Sequence, residues 1–389
     1  MKKNIAVIFG GKSAEHDVSI ITAHNPIIES LLTKKDEYNV IPVYISKKGI
    51  WYSTPEMNEL SYFKNPNYEA NLASLKPLHI SVNGEFILET AGMFGKKMKI
   101  DLVFPAMHGT YGEDGSLMGI LRMANVPFVG CDMFASAVAM DKVLTKDLVR
   151  ANGVPVVKDV WFTKTEWENK DKRNEIHNRL AELKLPLFVK PVHLGSSIGI
   201  TKVKKAIELD NAIEVALHYD DKVLVEEGVE NLIEVTLPMI GNSVVEFAAV
   251  ERPMNKAEFF DFKDKYLAGG KKSGGVNSQY SEIPANLGQE LTDRVRALGE
   301  RTYKILGCSG IARVDFLIDS FTNTVYVNEV NTLPGSLYAH NWRRVGISNV
   351  DLVTKLIALA EERHAESQKL TLTFNSTILQ KSGGIKKGN

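Results

Sequence analysis

Two cysteines, Cys131 and Cys308, are all that the 389 residues contain. That is too few for a disulfide framework and predicts a reducing compartment. Net charge is lacking too, since Lys+Arg and Asp+Glu stand at 47 each. No overall field draws the chain to nucleic acid or to an anionic membrane. Nowhere does an apolar run approach the ~20 residues of a membrane span. The opening Met1-Lys2-Lys3 and the apolar Ile5 to Phe9 mimic a secretory signal, but the run stops there, and Lys12, Glu15 and Asp17 follow. Neither a G-x-G-x-x-G fingerprint nor a G-x-x-x-x-G-K-[ST] loop is found, which argues against a dinucleotide site and a P-loop NTPase. There is no internal repeat. These absences predict a soluble cytoplasmic protein with no membrane or nucleic-acid partner.

What is there is a chain with 44% hydrophobic residues, enough for two or three packed domains. Residues 4–9 form a continuous apolar strand running into Gly10-Gly11, with Ser13 and Ser19 as candidate N-caps for the helix beyond. Residues 40–45 and 100–105 read as further buried strands. Between them 79–88 is a hairpin, whose Asn83-Gly84 suits a type I′ turn. Strands alternating with helical stretches predict an open α/β layer over residues 1–131. A second region, 132–226, begins with one helix over 133–152 and continues with strands at 185–192 and 223–227 around a helix near 205–218. A third, 227–366, holds long strands and a helix over 289–306, and the polar segment 367–389 reads as a loosely ordered tail.

Two clusters carry chemistry. Ile311 to Asp319 and Val325 to Asn331 are strands joined by a short turn, hence antiparallel neighbours. Glu329 and Asn331, two apart, leave the same face, and Asp315 reaches it from the partner strand. Two carboxylates and an amide are hard-oxygen ligands suited to Mg2+ and its phosphates, although a solvated acidic face gives the same pattern. Thr332-Leu333-Pro334-Gly335 follows, a stiff turn with a free N–H at Gly335. The second cluster is Lys190, at the end of an apolar strand, and the loop Gly195-Ser196-Ser197-Ile198-Gly199. Such a loop wraps phosphate oxygens while the lysine neutralises them. Lys142 is a second lysine, by itself uninformative.

Taken together, Gly10-Gly11-Lys12-Ser13-Ala14-Glu15, His108-Gly109 with Glu113-Asp114-Gly115, Met140-Asp141-Lys142, Val189-Lys190-Pro191 with the serine loop, Lys265-Tyr266, and Arg313-Val314-Asp315 with Asn328 to Gly335 resemble the D-alanine–D-alanine ligase family of the ATP-grasp superfamily. The resemblance runs from residue 4 to about 362. It implies an ATP-grasp fold behind an N-terminal open α/β (Rossmann-like, non-dinucleotide) domain, a homodimer, and ATP-dependent joining of two amino acids for peptidoglycan precursors. Lys142, Lys190, Ser197 and Lys265 would hold ATP phosphates, with Glu226 and Glu227 at the adenine and Glu234 near the ribose. Asp315, Glu329 and Asn331 would hold two Mg2+ ions (or Mn2+). Glu15, linked to Ser196 and Tyr266, would bind the first substrate's ammonium group, with His108 nearby. Arg313 and the Gly335 N–H would face the oxyanion, each well-placed donor contributing roughly 3–4 kcal/mol.

Three departures from the family pattern stand out. Met118-Gly119 replaces Gln-Gly, the loop after Tyr266 carries a Gly/Lys/Ser-rich piece at 269–278, and Ser336-Leu337 follows Gly335 at once instead of several residues on. Ser336 is therefore the candidate for the acceptor carboxylate, with capping of the next helix as its blander role. An acceptor other than D-alanine (D-lactate, D-serine or another amine) stays open, as does a non-catalytic ATP-binding regulator.

Overall fold

The computed structural model describes residues 2–92, 95–254 and 281–378. Its first sheet grows from the apolar opening run. Strand β1 (Lys3–Gly10) is flanked on one side by the parallel β2 (Tyr38–Ile45), at whose edge β3 (Trp51–Tyr52) pairs antiparallel. A separate antiparallel sheet of β4 (Leu78–Ser81), β5 (Ile87–Thr90) and β6 (Lys97–Lys99) intervenes before β7 (Leu102–Pro105) returns parallel to the other side of β1. Ile5 to Phe9 are fully buried, because parallel strands with both faces covered must be apolar on both.

The second sheet has the order β10-β9-β11-β8, with β8 at Asp159–Thr163, β9 at Leu187–Pro191, β10 at Thr201–Val203 and β11 at Lys222–Glu227. One face carries Val160, Phe162, Val189, Val223 and Val225 onto the helices Lys170–Leu180 and Leu209–Tyr219. The other carries Trp161, Leu224, Lys222 and Glu226 towards the helix Lys142–Ala151. In the third region β12 (Leu232–Gly241) and β13 (Val245–Phe247) precede the short pair β14 (Arg252–Pro253) and β15 (Ser281–Glu282). Strands β16 (Gly310–Asp319) and β17 (Thr324–Asn331) complete a sheet ordered β13-β12-β16-β17, backed by the helix Gln289–Ile305. The final helix, Asn349–Ser367, returns to the first sheet, burying Leu352, Leu356 and Ile357 in the same core as Ile5, Val7 and Phe9.

Three local expectations are corrected. The helix expected over 133–152 is two, Met133–Met140 and Lys142–Ala151, broken at Asp141, whose carboxylate accepts from the N–H groups of Val143 (2.8 Å) and Leu144 (2.9 Å) and restarts the helix. The 79–88 hairpin forms, but its strands part after Ser81 and Ile87, so Asn83-Gly84 sits in a wider loop where only Gly84 has positive φ. A type I′ turn needs both. Ser19 lies inside the helix His16–Thr22 and accepts the Gly10 N–H at 2.7 Å, while Ser13 accepts from Glu15 N–H at 3.1 Å, so neither caps that helix in the expected way. The helix Asn349–Ser367 takes in the first residue of the expected tail, and residues 371–378 have no regular structure and are exposed.

Candidate active site

The antiparallel register places Asp315 opposite Glu329 and Arg313 opposite Asn331, so all four side chains leave one face of the hairpin. A β-bulge makes this possible. Phe316 pairs with Val327 but Asp315 with Glu329, leaving Asn328 as the extra residue. Val325, Val327 and Val330 are buried in consequence, while Glu329 and Asn331 are only half-buried. Arg313 donates to both oxygens of Asp315, from Nε at 2.6 Å and from its terminal nitrogen at 2.5 Å, and Asn331 Nδ2 donates to the same carboxylate at 3.2 Å. The guanidinium also lies over the Tyr338 ring, 4.7 Å from its centre. Burial disfavours its charge, but Asp315 more than offsets this and holds the arginine well above its ordinary range.

Across from this face stand the lysines. The Lys142 ammonium is buried and donates to the carbonyls of Leu194 (2.5 Å) and Val192 (3.3 Å). Burial lowers its pKa, against the opposing field of Glu329. Lys190 pairs with Glu226 and lies 3.4 Å from Asn328 Oδ1, and Glu329 and Glu234 also raise its pKa. Glu226, only 1% exposed, has its other oxygen 2.6 Å from Lys146 Nζ. Burial pushes its pKa up, but the two lysines hold it at about 2. Its neighbour Glu227 faces the other way and accepts the Lys184 N–H at 3.0 Å. Glu234 is exposed at the start of β12.

The serine loop turns through two consecutive left-handed residues, Ser196 (φ 53°) and Ser197 (φ 59°), a conformation that L residues adopt at a cost. The turn sends Ser196 Oγ to Glu15 Oε1. Gly109, at φ +67°, approaches the same carboxylate so closely that a Cβ there would lie 2.9 Å from Glu15 Oε2. Its N–H donates to Glu113 at 2.7 Å. Burial and the Glu15 charge push the Glu113 carboxyl up to about 8, so it is a neutral acid near pH 7. His108 is buried, Nε2 2.7 Å from Thr22 Oγ1, and burial lowers its pKa to about 4. The same Thr22 hydroxyl accepts the Ser336 N–H at 2.9 Å. Beyond Gly335, Ser336, Leu337 and Tyr338 all have positive φ (46°, 54° and 49°), a left-handed turn of three non-glycine residues. The helix Ala339–Arg343 that follows has no side-chain cap, so Ser336 does not serve as one. His340 Nε2 lies 3.0 Å from Glu251. A cleft of about 460 Å3 opens beside Glu15, between Lys12, Ser13 and Thr110 on one side and Leu194 and Ile198 on the other.

A family model described as the D-ala D-ala ligase N-terminus matches residues 4–131, and one described as the C-terminus matches residues 148–358. The chain belongs to the D-alanine–D-alanine ligase family. Its fold is the ATP-grasp fold, and it is an ATP-dependent carboxylate–amine ligase that acts on small amino-acid substrates. It is similar to the D-alanine–D-alanine ligase of Coxiella burnetii at 30% identity and TM-score 0.79, covering 95% of this chain and 96% of that one. It is 35% identical to the VanG D-Ala:D-Ser ligase of Enterococcus faecalis (TM-score 0.76, 92% and 100% coverage) and 29% identical to the Helicobacter pylori D-alanine–D-alanine ligase (TM-score 0.69, 92% and 99%).

The ligase fold brings together Glu15 with Ser196, Arg313 with Asp315 and Asn331, and Lys190 with Glu226, and Lys142 lies within electrostatic reach of Glu329. Lys265 and Tyr266 lie outside the described residues. The sequence reading gave no role to Lys146, Glu113, Thr22 or Asn328. Lys146 had a signal, four residues after Lys142 and so on the same helix face. Asn328 had one as well, since the valine spacing changes from two to three across it. Nothing local marks Thr22.

Proposed function

We propose that this ligase joins two D-alanines into D-alanyl-D-alanine for peptidoglycan precursors, using one ATP per dipeptide. The observation that carries the reading is the hairpin face on which Asp315, Glu329 and Asn331 converge near two buried lysines. A regulator that only sensed ATP would not need that set. The donors are all hard oxygens, and the in-register carboxylate pair fits magnesium. Asp315, Glu329 and Asn331 would hold two Mg2+ ions (or Mn2+), which would supply Lewis-acid stabilisation of phosphoryl charge.

Lys142, Lys190, Ser197 and Lys265 bind the ATP phosphates, and Glu234 lies near the ribose, while Glu226, turned to two lysines, and Glu227, turned to the Lys184 N–H, depart from the adenine role expected of them. Glu226 contributes from beneath by holding Lys190 charged. The first D-alanine places its ammonium group on Glu15, which Ser196 orients, with His108 alongside. Its carboxylate attacks the γ-phosphorus of ATP, forming an acylphosphate and releasing ADP. The second amino acid's free amine adds to the acyl carbon, the oxyanion facing Arg313 and the Gly335 N–H. Collapse expels phosphate and leaves the peptide bond, the amine having lost a proton. Tyr266 would serve to keep water from the acylphosphate. The protein is a cytoplasmic homodimer, with units at 1–131, 132–226 and 227–366.

One observation favours a second reading for the acceptor. The left-handed turn at Ser336 to Tyr338, with His340 tied to Glu251, supplies a wall unlike the family's usual serine spacing, and the VanG relative is named for a D-serine acceptor. Ser336 is the hydroxyl that meets the acceptor carboxylate. Phosphate release measured over a panel of D- and L-amino acids and hydroxy acids tests both readings. Highest turnover with D-alanine alone supports the first, and release only on adding a second, different acceptor supports the other. Release without any amino acid dependence would refute ligation.

A further inference from the structure

The break at Asp141 leaves a side chain with two duties. Its Oδ1 caps the helix whose first residue is Lys142, and its Oδ2 accepts from Lys222 Nζ at 2.8 Å and faces His193 Nε2 at 3.3 Å. The other ring nitrogen of His193 lies 3.0 Å from Asp220 Oδ1, and the His193 N–H donates to Asp220 Oδ2 at 2.6 Å. An imidazole with a carboxylate at each nitrogen can donate to both only as the cation. Asp141 and Asp220 accordingly push its pKa up to about 9. The charged groups facing the ring are Asp141 from the helix start and Asp220, Asp221 and Lys222 from the turn into β11.

His193 also sits between the two residues, Val192 and Leu194, whose carbonyls hold the Lys142 ammonium, and it opens the serine loop. We propose that His193 is a positioning residue for ATP. Its imidazolium braces the start of the Lys142 helix against the loop that runs through Ser196 and Ser197, so that lysine and loop keep one spacing before nucleotide arrives. This rests on the reading that Lys142 and that loop hold ATP phosphates. The brace is needed because Lys142 must exchange its carbonyl partners for phosphate oxygens on binding. Its own bonds to the loop then vanish, and the contact of His193 with Asp141 remains. A preformed phosphate cradle needs no reordering when the ligand enters.

The test uses the full-length enzyme. His193→Asn keeps a donor near the Nδ1 position for Asp220 but cannot reach Asp141. The KM for ATP should rise roughly tenfold, the effect of losing one charge-assisted contact. The KM for D-alanine should stay within about twofold, a split that general loosening of the fold would not give. His193→Gln, whose amide nitrogen reaches towards Asp141, should restore most of the ATP affinity. Lys142→Met separates the phosphate site from the brace. If Lys142→Met leaves the ATP KM unchanged, the phosphate assignment itself fails. If it raises the ATP KM while folded His193→Asn matches wild type, the brace is overturned and the phosphate site stands. A His193→Asn enzyme in which both KM values rise equally also overturns it.

Discussion

Glu226 offers a direct measurement of what the lysine cluster costs the fold. Glu226→Gln keeps the shape of the side chain and removes one charge between two buried ammonium groups. The Lys146 contact is 2.6 Å, so Coulomb's law at an effective dielectric near 20 gives about 6 kcal/mol for that pair. Part is returned because the buried carboxylate no longer has to be desolvated. Breaking one side of a buried pair leaves a net loss of about 3–5 kcal/mol. Equilibrium urea denaturation followed by tryptophan fluorescence reads this, with Trp161, on the same face of the second sheet as Glu226, among the four tryptophans that report. The midpoint should fall with little change in slope. Adding Lys146→Met should recover part of the loss by removing one stranded cation, a non-additivity that identifies the pair. A Glu226→Gln protein as stable as wild type, with altered choice between ATP and GTP, would refute this reasoning. Glu226 would then be an adenine contact and not the anchor of Lys190.

Glu329→Gln should lower phosphate release by at least two orders of magnitude with an unchanged melting curve, because the lost charge acts on the transition state; near-normal turnover would sink the metal reading. Ser336→Ala should raise the KM for the second amino acid several-fold and leave the ATP KM alone, and a drop in melting temperature with unchanged acceptor KM would assign the serine to the turn instead. For His193, the folded pKa of about 9 lies above the ordinary 6.5, so its contribution is complete below pH 6.5 and is lost as pH rises through 9. The gap sets a ceiling of ~3 kcal/mol. With the ring 42% exposed, solvent screening reduces this to ~1 kcal/mol. The stability difference between wild type and His193→Asn should thus shrink between pH 6 and pH 9.5, and a difference that grows would reverse the assignment.

The sequence made the β16–β17 hairpin legible because antiparallel register follows from a short turn, and side-chain direction from a period of two. Its bulge was half legible, written in the valine spacing but easily passed over when only Glu329 and Asn331 are counted. The helix break at Asp141 was hidden because aspartate inside a helical pattern reads as an exposed residue, and only the strand face carrying Lys222 reveals its partner. Glu226 shows the same limit. A strand-end glutamate faces ligand or core according to which helix lies over it, and the Lys142–Ala151 helix crosses that face from a distant part of the chain. The Thr22 hydroxyl that links His108 to Ser336 lies 86 residues from the first and 314 from the second in sequence and could be found only in three dimensions.

The extra residue at Asn328 also sets the reading frame of the site. Up to Val327 the strand counts its buried positions on odd numbers, and beyond the bulge Val330 continues on even ones. Removing Asn328 would restore a regular ladder and leave Glu329 opposite Asp315 on the site face, whereas losing Val330 would turn Asn331 into the core. Beyond the bulge, changes of side chain can be graded, whereas changes of length are all or nothing. The turn at 320–323 lies on the far side of the bulge and can lengthen without moving that frame. Length can thereby drift at the tip and at the bulge, whereas the end that carries Glu329 and Asn331 can change only by substitution.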